Sequence, residues 1–308
     1  MKIAVMGSGG VGGYFGGRLA AAGEDVSFVA RGAHLAAMRE AGLRIKSPAG
    51  DAHIQPCPAT DDPAAIGPVD IVLFATKLYD VESAAAQCKP LIGPGTAVIS
   101  LLNGLDSEDR MIGVLGAEHV CGGVAAISSA IEAPGVIGHY SPFHNIQFGE
   151  LPKGTSSRLE RLLAACEKAG VEAYLRDDIR HFIWQKFIFL SSFAGIATLT
   201  RATAGVVRAT PATRALLRDA IAETVALAQA DGQDFDAGTV DATLGLIDAL
   251  PPGGKPSMLV DLERGNRIEV EALSGLTWRM SEEKGLAAPV NRAIAAALAP
   301  YVGGVPAK

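Results

Sequence analysis

Gly7-Ser8-Gly9-Gly10-Val11-Gly12 has the spacing G-x-G-x-x-G and directly follows the apolar run Lys2–Met6. After a strand, the first glycine of such a run permits a tight turn and the second lets the backbone approach a pyrophosphate. The third lets the following helix pack closely on the strand. Backbone N–H groups at the start of that helix then face the anion. The run predicts a dinucleotide site made by Gly7, Ser8, Gly9, Gly10, Val11 and Gly12. A second apolar run ends Val29-Ala30-Arg31. An NAD site normally carries an acid at that tip for the ribose 2′-hydroxyl, whereas an arginine suits a 2′-phosphate. Arg31 therefore points to NADP(H).

Two more polar pairs follow apolar runs: Thr76-Lys77 after Asp70–Ala75, and Asn103-Gly104 after Thr96–Leu102. Ligands bind outside such carboxyl ends in open α/β sheets, although polar residues are common there in any case. Lys186 lies in Phe182–Leu190, a stretch apolar almost all round. A lysine in such a helix reaches a cleft, pairs, or snorkels to the surface. A desolvated lysine has its pKa pulled down, which suits proton transfer near neutral pH. Ser257 after Pro256 suits a helix N-cap, and Glu269 suits a first helical turn, where an acid favours the macrodipole. His139 and His144 match no known metal set and read as strand-end histidines, so no metal is expected. Cys57, Cys88, Cys121 and Cys166 form no C-x-x-C pair and read as core residues of a protein in a reducing compartment.

These residues need elements to position them. The chain has 308 residues, 49% hydrophobic and 19% charged, which suggests two domains with real cores. Aromatics at 6% and 36 glycines favour an α/β protein over an all-β sandwich. A formal charge of -6 argues against a nucleic-acid partner. The N-terminal apolar run is too short for a signal peptide. The uncharged stretch Phe187–Thr200 falls short of the ~20 residues needed to span a bilayer, so no membrane partner and a cytoplasmic location are expected.

Strands are predicted at Lys2–Met6, Asp25–Ala30, Asp70–Ala75 and Thr96–Leu102. Later strands at Val120–Ser129, Gly135–Tyr140 and Asn145–Phe148 would complete the sheet at one edge. Strands apolar on both faces, alternating with helices, indicate a parallel sheet covered on both sides. Beyond Asp177 the period changes to 3.6, with helices over Ile179–Leu199, Pro211–Ala230, Val240–Ala249, Met258–Arg264 and Ile268–Lys284. Thr210-Pro211 reads as an N-cap and first helical residue. The fold class is α/β: a Rossmann-type NADP-binding domain over 1–176 and an all-helical substrate and catalytic domain over 177–308.

Together these residues resemble the ketopantoate reductases (2-dehydropantoate 2-reductases) over essentially the whole chain. The resemblance rests on Gly7–Gly12, Arg31, Ala75-Thr76-Lys77, Leu102-Asn103-Gly104, Trp184-x-Lys186, and Ser257-Met258-Leu259-x-Asp261 followed by Glu269. It implies NADPH-dependent reduction of a 2-keto acid, 2-dehydropantoate to pantoate, on the route to pantothenate and coenzyme A. It implies Lys186 as proton donor to the carbonyl oxygen and Asn103 as a contact to cofactor and substrate. Ser257 would meet the substrate carboxylate, and Lys77 and Glu269 the cofactor side. There is one departure. Leu190, Ala194 and Ala204 stand where the best-matched members present asparagines that hold the substrate. The alternatives are a paralogue reducing a more apolar 2-keto acid and a non-catalytic NADP(H)-binding sensor. The apolar helical domain permits a homodimer.

Overall fold

A computed structural model describes residues 1–306. They form two compact units, one of Met1–Leu102 with Asp106–Ile183, the other of Asn103–Leu105 with the chain from Trp184 onward. The chain passes from the first unit to the second inside a helix, between Ile183 and Trp184, beyond the boundary at 176 expected above.

The first unit runs β1 (Lys2–Met6), α1 (Gly10–Ala21), β2 (Asp25–Val29), α2 (Gly32–Ala41), β3 (Leu43–Lys46), β4 (Ala52–Ile54), β5 (Ala59–Thr60) and β6 (Ile71–Phe74). It continues with α3 (Val81–Cys88), β7 (Ala97–Ser100), α4 (Ser107–Leu115), β8 (Val120–Ala133), β9 (Val136–Gly149), α5 (Ser157–Lys168) and β10 (Glu172–Leu175). All ten strands join one sheet, ordered β4-β3-β9-β8-β7-β6-β1-β2-β5, with β10 on β9. From β5 to β8 every pairing is parallel. That is the 3-2-1-4-5-6 order of a doubly wound dinucleotide-binding sheet. β6 and β7 are buried along their whole length, as their uninterrupted apolar runs predict.

The later strands differ from expectation. β8 and β9 form one antiparallel hairpin of 14-residue strands. It lies inside the sheet, because β8 pairs with β7 while β9 carries both β3 and β10. The two runs Gly135–Tyr140 and Asn145–Phe148 are thus one strand interrupted by a bulge. Ile127 faces His144 but Ser129 faces His139, so residues 140–143 oppose Ser128 alone. Pro142, which has no N–H to give a ladder, falls in that irregularity.

The second unit is helical: α6 (Ile179–Thr200, its first turn in the first unit), α7 (Ala204–Ala209), α8 (Pro211–Ala230), α9 (Thr239–Asp248), α10 (Ser257–Glu263), α11 (Ser274–Glu283) and α12 (Pro289–Leu298). α8 packs against α7, α9, α11 and α12. The helix expected over Ile268–Lys284 is broken. A single 3-10 turn spans Val270–Ala272, and Leu273, at φ −111° and ψ −101°, separates it from α11. Thr210 occupies the N-cap of α8, but its hydroxyl donates backwards to the Val206 carbonyl at 3.0 Å instead of capping. By length and composition alone the 22-residue α6 is large enough to cross a membrane, more than its uncharged stretch suggested; 67% of its apolar window is buried inside the protein, as in a core helix.

Candidate functional site

The chain order reverses at β1, which has β2 on one side and β6 on the other. Such a switch point opens a crevice beyond the strand ends. Gly7 leaves β1 with φ +96°, and a Cβ there would stand 2.7 Å from the Ala75 carbonyl oxygen after β6. Only glycine fits that turn. A Cβ on Gly12 would meet the Gly7 carbonyl oxygen at 2.3 Å, so the third glycine sets the close approach of α1 to the strand. Gly9 has nothing within 4 Å of where its Cβ would be. It is the N-cap of α1; no side chain caps the helix and no acid lies in its first turn. Uncapped N–H groups, a positive helix end and open space at Gly9 fit a pyrophosphate.

Gly7, Ser8, Gly9, Arg31, Thr76 and Lys77 line one cavity in this unit. The Ser8 N–H and hydroxyl both donate to the Val29 carbonyl, at 3.1 and 3.0 Å, so neither hydrogen is left for a ligand. Arg31 is exposed at the N-cap of α2 and donates to Gln87 Oε1 of α3 at 2.7 Å. Lys77 is partly buried. Further lining residues that sequence reasoning missed include His34, Asp80 and Ile131. Two cations against one carboxylate leave the lining net positive, which favours phosphate. His34 follows Arg31 by three residues and so shares its helical turn, a signal that was available.

Asn103, Lys186, Ser257 and Glu269 all belong to the helical unit. Asn103 is partly buried in the loop after β7. Lys186 is partly buried in α6, close in sequence to the buried Trp184 and Phe187. Ser257 is the exposed first residue of α10; Pro256 holds the N-cap position, so the capping role expected of the serine is not filled. Glu269 is 8% exposed and precedes the single 3-10 turn rather than opening a long helix. Leu190 is partly buried and lies one turn after Lys186 on α6, whereas Ala194 is buried further along it. Ala204 is not on that helix; it opens α7 and is fully buried.

Other titratable residues lie outside this cavity. His139 and His144 are not at strand ends but inside β9, flanking its bulge, with rings 5.4 Å apart and both against Tyr14. His139 Nδ1 meets Ser47 Oγ at 2.8 Å. Among the described residues no group of His, Cys, Asp and Glu is placed to hold a metal. Glu108, in the first turn of α4, is 2% exposed and accepts from Ser107 Oγ at 2.9 Å. Burial pushes its carboxyl up to about 7. All four cysteines are buried and free, and burial raises Cys57 to about 11 and Cys88 to about 12, so they stay thiols.

The family model described as Ketopantoate reductase PanE/ApbA matches residues 3–153, and its C-terminal companion matches residues 178–302. The chain belongs to the ketopantoate reductase family. It is 34% identical over 294 residues to a 2-dehydropantoate 2-reductase of Mesorhizobium japonicum, covering 89% of each chain. It is 32% identical over 301 residues to the Uncharacterized oxidoreductase YkpB of Bacillus subtilis, covering 98% of this chain and 99% of that one. The crystal structure of a 2-dehydropantoate 2-reductase from Geobacter metallireducens superimposes with a TM-score of 0.91 at 31% identity, over 97% of this chain and 99% of that one. The protein is accordingly an oxidoreductase of the 2-dehydropantoate 2-reductase type, in a family whose cofactor is NADPH.

Proposed function

We propose that the protein reduces a 2-keto acid with NADPH, and that 2-dehydropantoate, giving pantoate, is the substrate. The observation that carries this is the uncapped start of α1 beside Gly9 at the sheet's switch point, with Arg31 and Lys77 lining the same cavity. The N–H groups there hold the pyrophosphate, Arg31 takes the 2′-phosphate, and Lys77 adds charge. When bound, NADPH supplies the hydride. Lys186 donates a proton to the substrate's carbonyl oxygen as charge develops there. Asn103 is assigned to contact substrate and cofactor, Ser257 to hydrogen-bond the substrate carboxylate, and Glu269 to contact the cofactor.

The test is NADPH consumption with a panel of 2-keto acids, run on wild type and Lys186→Ala. Turnover of 2-dehydropantoate by wild type is expected, with kcat about 10²–10⁴ lower in the variant, the range for a general acid. No turnover of any 2-keto acid would leave only an NADP(H)-binding role. Leu190 favours a second reading. Residues four apart share a helix face, so a substrate reached by Lys186 also meets an apolar side chain. An apolar contact discriminates weakly between substrates with and without a hydroxyl, by ~10² at most. A kcat/KM preference within that limit for 2-dehydropantoate over its analogue lacking the hydroxyl supports a broader, more apolar substrate range.

A further inference from the structure

His34 is tied at both ring nitrogens. The Gly135 N–H, in the turn between β8 and β9, meets Nδ1 at 3.0 Å, and Nε2 lies 3.0 Å from the Ser8 carbonyl oxygen. An amide N–H can only donate, so Nδ1 is the acceptor; a carbonyl can only accept, so Nε2 carries the hydrogen. The partners thus select one neutral tautomer. The consequence reaches the glycine run through one peptide plane. In a trans peptide the Ser8 carbonyl and the Gly9 N–H point in opposite directions in one plane, so holding the carbonyl on His34 aims that N–H. Ser8 is also held from its other side by Val29, and a Cβ on Gly10 would meet the Ser129 carbonyl oxygen of β8 at 2.4 Å.

We infer that His34 is a positioning residue: its neutral imidazole bridges the glycine run to the β8–β9 turn, and dinucleotide affinity falls when it takes up a proton. Protonation would place an N–H at Nδ1 against the Gly135 N–H and break the bridge. Burial lowers the ring's basicity, and the Ser8 carbonyl opposes that. The charged groups that line the cavity with it are Arg31, at the N-cap of its own helix, and Lys77 and Asp80 after β6; Arg39 and Glu40 lie further along its helix, Arg39 turned to Asp61, and Glu132 on β8 is engaged by Lys46. None forms an ion pair with it.

The inference rests on the glycine run being the dinucleotide site, and its test separates the two. In the protein without nucleotide, imidazole ¹⁵N chemical shifts should show His34 as the Nε2–H tautomer at about pH 7.5; an Nδ1–H ring or an imidazolium overturns the bridge. Calorimetric titration with NADP⁺ then compares wild type, His34→Gln and His34→Ala at about pH 8 and about pH 5.5. Because the 2′-phosphate itself titrates near pH ~6, the readout is the difference between wild type and the non-titrating glutamine. Wild type should lose about fivefold more affinity on acidification than His34→Gln, and His34→Ala should bind about tenfold more weakly at the higher pH, the cost of an unpaired carbonyl and N–H. Superimposable pH profiles for wild type and His34→Gln overturn the inference even if His34→Ala fails to fold. Wild type that does not bind NADP⁺ at the higher pH overturns the dinucleotide reading and the affinity claim with it, while the ¹⁵N shifts still decide the bridge.

Discussion

Gln87 accepts one Arg31 N–H at 2.7 Å, which leaves the remaining guanidinium hydrogens to a ligand in the cavity that Arg31 lines. A hydrogen bond to a charged group contributes ~1.5–3 kcal/mol, and the exposure of Arg31 places it toward the lower end. Arg31→Ala should therefore weaken NADP⁺ binding by roughly tenfold or somewhat more, with NAD⁺ nearly unchanged, as calorimetry can measure. Equal loss for both nucleotides would mean that the side chain serves the fold. This part of the site was legible because it depends on neighbours in sequence: the glycine run, the strand tip at Arg31 and the strand end at Lys77. Asp80, three residues after Lys77 in the same turn, carried such a local signal too. Gln87 and Ile131 did not, since each comes from an element whose placement follows from sheet order rather than local spacing. Glu108 was hidden for a different reason. An acid in a first helical turn reads as a solvated dipole partner, and only packing shows that it is buried.

At the scale of elements, Gly9 at the N-cap of α1 and Gly12 inside it have separable duties. Alanine at position 12 would place Cβ 2.3 Å from the Gly7 carbonyl oxygen and 2.9 Å from Val5 Cγ1, so the helix must shift. Alanine at position 9 meets nothing within 4 Å, and φ there is −76°, which alanine accepts. Gly12→Ala should cost about 1–3 kcal/mol of stability, the range for overpacking. Gly9→Ala should leave the melting temperature unchanged and weaken nucleotide binding, because its methyl fills the space over the helix start. A Gly9→Ala protein with normal affinity would remove the close approach from the account. The parallel core strands were legible from apolar runs buried on both faces. The hairpin was not, because Pro142 splits the pattern of β9 and the pairing absorbs it in a bulge. The break at Leu273 has no local signal either, as Ile268–Lys284 keeps helical periodicity across it.

Across the whole molecule, buried titratable groups pull stability in opposite directions with pH. Burial holds His34, His139 and His144 below their ordinary value of 6.5. Below 6.5 the unfolded chain takes up protons that these folded histidines resist, so their contribution is present above that pH and is lost as pH falls. Burial raises Glu150, but hydrogen bonds led by Arg158 outweigh it and hold the carboxyl low; Arg110 lowers Glu82, and both contributions are likewise lost in acid. Glu108 acts the other way. Its folded carboxyl is raised from 4.5 to about 7, so the folded state holds a proton that the unfolded chain releases. Its contribution is complete below 4.5 and declines as pH rises to about 7. The penalty for ionising it in place is on the order of 3 kcal/mol, at ~1.4 kcal/mol per pKa unit. Glu108→Gln keeps an oxygen for the Ser107 hydroxyl and cannot ionise. Chemical denaturation should find it more stable than wild type at about pH 8 and nearly equal near pH 5. Wild type should be most stable near pH 6–7, where the histidines are largely neutral and Glu108 still carries its proton. A glutamine variant destabilised equally at both pH values would show that Glu108 is ionised and favourably partnered throughout.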